Sequence, residues 1–334
     1  MRNRLAAVSA SLLVVGCTQL FFQPHRAQVY TPDQLGLTYQ AVRFSADDGI
    51  KLYGWFLPAK GSPLGTILHL HGNAENISTH FAGVAWMPAR GFNVLVFDYR
   101  GYGASEGQPG LEGAQKDIDA AMRALLARGD VDKDRIVIYG QSLGGALAVY
   151  NVARSPFREH IRALVIESAF SGYVEVAREK FADHWFTWPF QWLPSLTVDD
   201  RFSPLPEIKK VSPIPLLILH GDRDATVPVH HGRQLYDAAL EPKQLWIVPG
   251  AGHIQAMRED VQRDRLVAYL REALAASARP IPRHASRARH CTNLGSGSNL
   301  VHPRSPGAAG ANMDDLTARS ISCRSNEHYL PPSV

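Results

Sequence analysis

Ser142 stands in Gly140-Gln141-Ser142-Leu143-Gly144, a pentapeptide of the G-x-S-x-G type. An apolar run, Arg135-Ile136-Val137-Ile138-Tyr139, precedes it and reads as a buried strand; Gly145-Ala146-Leu147-Ala148-Val149-Tyr150 follows and reads as a helix. In a strand, sharp turn, helix context the flanking glycines let the two elements approach closely, and a strained turn holds the hydroxyl clear of the sheet. The chemistry this allows is nucleophilic attack. The alternative is a glycine-rich connection with no chemistry.

A serine hydroxyl is a poor nucleophile at neutral pH and needs a base, which needs an orienting partner. The chain has fourteen histidines. His69, His71 and His220 end apolar strands, and His230 and His231 read as surface or capping residues at a helix start. His253 stands at the tip of a glycine-rich loop, Val248-Pro249-Gly250-Ala251-Gly252-His253, and is the predicted base. Three acids lie just past strand ends, where sites gather in open α/β sheets: Glu167, Asp222 and Asp224. Asp224 is deeper in its turn and better able to reach His253, whereas Asp222 suits the turn itself or a pair with Arg223. Backbone amides must then stabilise the developing oxyanion. One is expected from Leu143, the other from Asn73 in His71-Gly72-Asn73-Ala74-Glu75-Asn76, with His71 holding that loop by a hydrogen bond.

These residues need a frame. Strands are predicted at 41–46, 52–57, 65–70, 92–98, 135–140, 162–167, 215–220 and 243–248, the later ones continuously apolar as in strands buried on both faces. Helices are predicted at 74–90, 111–128, 143–155, 230–240 and 254–276. The alternation implies an α/β fold with an eight-stranded, mostly parallel sheet and helices on both faces, the first two strands forming an antiparallel hairpin about Asp47-Asp48-Gly49. Residues 170–212 interrupt the rhythm with Phe181, Trp185, Phe186, Trp188, Phe190 and Trp192. They read either as a small cap with an apolar wall or as a helical excursion burying its aromatics in the core.

The ends differ from the 41–278 domain. Arg2 and Arg4 precede an apolar stretch from Leu5 to Val15, and residues 1–16 read as an export signal. Leu13-Val14-Val15-Gly16-Cys17 resembles the bacterial lipoprotein cleavage box, so Cys17 is expected to carry the lipid, with residues 17–40 an extended lead-in. Thr18 in place of Asp favours the outer membrane. Phe21 and Phe22 are expected against the domain or the membrane surface. The net charge of +4 comes from the tail: residues 276–334 hold seven arginines against three acids, leaving 28 basic and 28 acidic residues elsewhere. The folded part therefore carries no electrostatic footprint for nucleic acid. A tail over 279–334 is predicted to be disordered. The three cysteines, Cys17, Cys291 and Cys323, fall outside the domain, which argues against disulfides and a cysteine metal site. No metal or organic cofactor is implied.

The order Ser142, Asp224, His253 after the fifth, seventh and eighth strands resembles that of the α/β-hydrolase superfamily. Phe97-Asp98-Tyr99-Arg100-Gly101-Tyr102-Gly103 resembles its loop after the fourth strand, and His220-Gly221-x-x-Asp224-x-x-Val227-Pro228 its acid loop, which supports Asp224. His71-Gly72-Asn73-Ala74 is similar to a subgroup containing serine aminopeptidase-like hydrolases and protein depalmitoylases, and the leader with Leu20-Phe21-Phe22 to its bacterial lipoprotein members. The resemblance covers about 40–275 and implies hydrolysis through an acyl-enzyme. It leaves the substrate open. A carboxylic ester or thioester of a small acyl substrate is expected; a peptide or amide is the alternative, and a binding protein on the same scaffold a third. The expected location is the bacterial envelope, facing the periplasm.

Overall fold

Residues 40–57 fold as a hairpin of β1 (Gln40–Ser45) and β2 (Lys51–Leu57), with Gln40 opposite Phe56 and Ser45 opposite Lys51. Gly49 turns it at φ 84°, a left-handed conformation that favours glycine. Six strands follow: β3 (Gly65–Leu70), β4 (Phe92–Asp98), β5 (Ile136–Gln141), β6 (Ile161–Glu167), β7 (Leu216–Gly221) and β8 (Lys243–Val248). The computed structural model describes residues 21–276 apart from His184. Its sheet runs β8-β7-β6-β5-β3-β4-β2-β1, parallel from β8 to β4 and antiparallel at β2 and β1. Each predicted strand is present within a residue of its expected bounds.

The period-two geometry of a strand sends alternate residues to opposite faces. Leu68, Leu95, Phe97, Ile138, Ile166 and Ile218 pack with α1 (Leu111–Leu126), α2 (Leu143–Arg154) and Leu235 of α4 (Val229–Ala238). Their neighbours Ile67, Val94, Val96, Val137, Val165 and Leu217 pack with α5 (Asp260–Ala276) and with Ile77, Phe81, Val84 and Met87. Burying each such side chain stabilises the fold by about 1.5–3 kcal/mol.

Two helix expectations need correction. Residues 74–90 are not one helix. Ala74–Glu75 pairs with Gln23–Pro24, a helical turn spans Ile77–His80, and short 3-10 turns follow at Phe81–Gly83 and Pro88–Arg90. Their apolar residues have helical spacing, but Gly83 and Pro88 break the run, and the Ile77 amide is taken by Asp98 Oδ1 at 2.8 Å. The last helix starts at Asp260 rather than 254, because Ile254 has φ 54°, which no helix accommodates.

The 170–212 segment contains α3 (Tyr173–Ala182) and short turns at Trp188–Phe190, Pro194–Thr197 and Pro204–Glu207. Trp185, Phe186, Trp188, Phe190 and Trp192 are exposed, so the core reading of these aromatics does not hold. The first described residues do pack on the domain: Phe22 is buried beside Tyr102, and Phe21 meets Tyr173 edge-on at 5.1 Å. The leader, Cys17 and the 279–334 tail lie outside the described residues. Among those described, no helix is long and apolar enough to cross a membrane.

Candidate active site

Ser142 sits between β5 and α2 at φ 52°, ψ −118°. A non-glycine residue in this region is strained by about 1–3 kcal/mol and persists only where its surroundings enforce it. Here they do. A Cβ on Gly144 would lie 2.1 Å from the Leu70 carbonyl oxygen, and one on Gly140 2.4 Å from the Gly144 oxygen. Strand, turn and helix are pressed together, and the hydroxyl is left at the C-terminal edge of the sheet, with 8% of the residue exposed.

His253 Nε2 lies 3.0 Å from Ser142 Oγ, and His253 Nδ1 lies 2.8 Å from Asp224 Oδ2. With Nδ1–H donating to the carboxylate, Nε2 keeps a lone pair and accepts from the serine hydroxyl. The Thr226 and Val227 amides both donate to Asp224 Oδ1 at 2.9 Å. Burial opposes ionisation of Asp224, but the hydrogen bonds from His253 and the Val227 amide outweigh it and hold the carboxyl below its usual range.

The other acids have different places. Asp222 Oδ1 accepts from the Gly250 amide at 2.6 Å and ties the acid loop to the loop after β8. Glu167 is fully buried and accepts from Tyr139 Oη, from Gln141 Nε2 at 2.8 Å and from the Ala256 amide at 2.8 Å. It thus braces the chain three residues beyond His253. The buried histidines are held neutral by their surroundings. Burial pushes His69 down to about 4, and His71 and His220 fall below the ordinary value for the same reason. His220 Nε2 donates to the Val227 carbonyl at 2.8 Å, closing the acid loop, and His71 Nδ1 donates to the Gly72 carbonyl at 2.8 Å. His231, expected at the surface, is instead fully buried; with His230 it donates to Glu179 of α3, at 3.0 and 2.8 Å, and fastens the cap to α4.

The loop after β3 passes the serine: a Cβ on Gly72 would lie 3.7 Å from Ser142 Cβ. Leu143 is the first residue of α2, so its amide has no partner within the helix. The Asn73 side chain is engaged elsewhere, accepting from the Gln23 amide at 2.7 Å, and its carbonyl accepts from Tyr102 Oη at 2.7 Å. Tyr99 Oη donates to the His71 carbonyl at 3.2 Å. The loop after β4 therefore buttresses the loop after β3. Arg100 anchors it in turn through Asp117 of α1 at 2.7 Å and Asp48 of the hairpin at 2.8 Å.

Sequence reasoning missed these supports. It also missed Ser168, which has φ 53° and whose Oγ accepts from the Ile254 amide at 3.2 Å. Ser168 also contributes, after His253 and the Val227 amide, to holding the Asp224 carboxyl below its usual range. A serine after a strand end is too common a signal to have been singled out.

Asp98 is buried under the same loops, where desolvation raises its carboxyl to about 7. A carboxyl raised by folding takes up a proton on folding between about 4 and 7, so its contribution to stability falls as pH rises through that window. Asp98→Asn is expected to flatten the decline in unfolding free energy between pH 5 and 7.5; identical slopes in wild type and variant, measured by denaturant titration, would contradict this.

The strand order and the serine–histidine–acid chain of hydrogen bonds define a member of the α/β-hydrolase superfamily, a hydrolase. Comparison with known proteins narrows the class. The sequence profile of the prolyl oligopeptidase family matches residues 78–276, and the chain belongs to that family. It is 38% identical over 261 residues to the protein YfhR of Escherichia coli (strain K12), covering 76% of this chain and 87% of that protein. It is 32% identical over 256 residues to the alpha/beta hydrolase domain-containing protein WAV2 of Arabidopsis thaliana, covering 70% and 79%. Among solved structures, the Pyrococcus furiosus esterase PF2001 superposes with a TM-score of 0.61 at 23% identity, covering 77% of this chain and 98% of that one. That likeness is one of fold.

Proposed function

We propose that the protein hydrolyses carboxylic esters or thioesters through an acyl-enzyme. Ser142 Oγ attacks the carbonyl carbon while His253 Nε2 takes its proton. The bond to the leaving group breaks as that proton passes to it. Water, deprotonated by His253, then attacks the acyl carbon, and the Ser142 Oγ–acyl bond breaks as His253 Nε2 returns that proton to Oγ. Asp224 fixes the tautomer and stabilises the imidazolium. The Leu143 and Asn73 amides receive the oxyanion, each donor contributing roughly 3 kcal/mol to transition-state stabilisation. The observation that carries this reading is the unbroken Ser142–His253–Asp224 hydrogen-bonded chain on a strained turn. Cys17 is proposed to hold the enzyme by lipid at the periplasm-facing surface of the bacterial envelope, in the outer membrane.

Cleavage of peptides or amides is the second reading, and the family match favours it. A panel of p-nitrophenyl esters of rising chain length beside aminoacyl p-nitroanilides separates the two. The ester reading expects turnover of esters with little of anilides; comparable kcat/KM on anilides would transfer the assignment to peptide bonds.

Tyr102 is a positioning residue here, holding the Asn73 carbonyl and hence the amide beside it. Tyr102→Phe removes one hydrogen bond worth about 0.5–1.5 kcal/mol. Its kcat is expected to fall about threefold to tenfold with KM nearly unchanged, and a change confined to KM would refute the role.

A further inference from the structure

We propose that residues 185–196 form a docking surface for a lipid bilayer, distinct from the lipid on Cys17 and acting beside it. Eleven large apolar side chains are exposed among the described residues, and six of them fall in these twelve positions. Trp185 is 87% exposed, Trp188 62%, Trp192 57% and Leu196 65%, with Phe186 and Phe190 between them. Soluble surfaces rarely gather so much apolar area in one place without an interaction to match. Residues 185–198 hold no Asp, Glu, Lys, Arg or His, and their polar members, Thr187, Gln191, Ser195 and Thr197, are uncharged. A protein surface adapted to water is about one quarter charged. Three of the protein's six tryptophans lie here. Indole is the side chain that partitions best to the headgroup boundary, apolar on its face and polar at its N–H.

The position of the chain's beginning selects a bilayer over a protein partner. Phe21 packs on Phe170 and Tyr173, at the first turn of α3. Cys17 is four residues earlier, so it lies no more than about 14 Å from Phe21 along the chain. α3 has ten residues and is therefore about 15 Å long. The Pro194–Thr197 turn packs back on α3, and residue 203 returns to its start, where Ser203 Oγ accepts from the Tyr173 amide at 3.0 Å. Phe21 thus packs at one end of α3 and the aromatic segment begins beyond the other, about 15 Å away, so a lipid on Cys17 would have the reach to share a bilayer with that segment. This geometry rests on the proposed tether; the exposed aromatics do not.

The consequence reaches the site. Lys180, near the end of α3, donates to the Ala225 carbonyl at 3.1 Å, and Ala225 adjoins Asp224. A bilayer seated on the aromatic segment would lie beside the acid loop. The substrate class that fits is an ester with a long acyl chain, drawn from the lipid phase rather than from solution.

The test uses the full, tethered chain on phosphatidylcholine vesicles with ordinary or brominated acyl chains, which quench indole fluorescence on contact. Wild type is expected to be quenched by the brominated lipid. Trp185→Ala/Trp188→Ala/Trp192→Ala is expected to lose most of that quenching while still floating with vesicles and hydrolysing p-nitrophenyl acetate as wild type does. High salt should leave the quenching unchanged, because the contact is apolar. Unquenched vesicle-bound wild type, equal quenching in the triple variant, or release by salt would each overturn the proposal. Cys17→Ser separates the tether: if Cys17 carries no lipid, this variant floats like wild type and its quenching persists.

Discussion

Ser142→Ala is expected to lower kcat by about six orders of magnitude, the loss seen when the nucleophile is removed from a hydrogen-bonded triad. The same change should abolish labelling by a fluorophosphonate, which needs a serine oxygen activated by a neighbouring base. Folding should survive. The strained turn is enforced by the close contacts at Gly140 and Gly144, not by the hydroxyl. Folded wild-type protein that fails to label would overturn the nucleophile assignment, and so would an alanine variant of unchanged activity.

Asp224→Asn is expected to cost about 10⁴ in kcat. The carboxamide still accepts from the Thr226 and Val227 amides through its oxygen, so the loop keeps its shape. Its NH₂ would then face His253 Nδ1, which can only accept. The proton moves to Nε2, and Nε2–H points at a hydroxyl it can no longer deprotonate. Asp222→Asn, at a residue engaged with the Gly250 amide, should stay within about tenfold of wild type. A larger loss at Asp222 than at Asp224 would reverse the assignment.

The two acids illustrate how far sequence reasoning reaches. Both follow the same strand, and loop depth together with the resemblance pointed to Asp224. Only coordinates separate a carboxylate 2.8 Å from His253 Nδ1 from one spent on a backbone amide. Glu167 too ends a strand. Its side chain turns inward, to Tyr139, Gln141 and the Ala256 amide, and no local pattern reports that direction. The 74–90 segment failed for another reason. Its apolar residues have helical spacing, yet its first amides are claimed by Asp98 and by the N-terminal lead-in, both distant in the chain.

The sequence by itself determined the eight strands, the order of serine, acid and histidine along them and the turn that carries the serine. These depend on period, on continuous apolar runs and on glycine spacing, all of them local. The tertiary structure alone decided how Asp222 and Glu167 are engaged, that Tyr99, Tyr102 and the Gln23 strand hold the Asn73 loop, and that the cap's aromatics face outward. Each of those depends on contacts between segments tens of residues apart, and the burial of an aromatic side chain is a property of what surrounds it, not of its type.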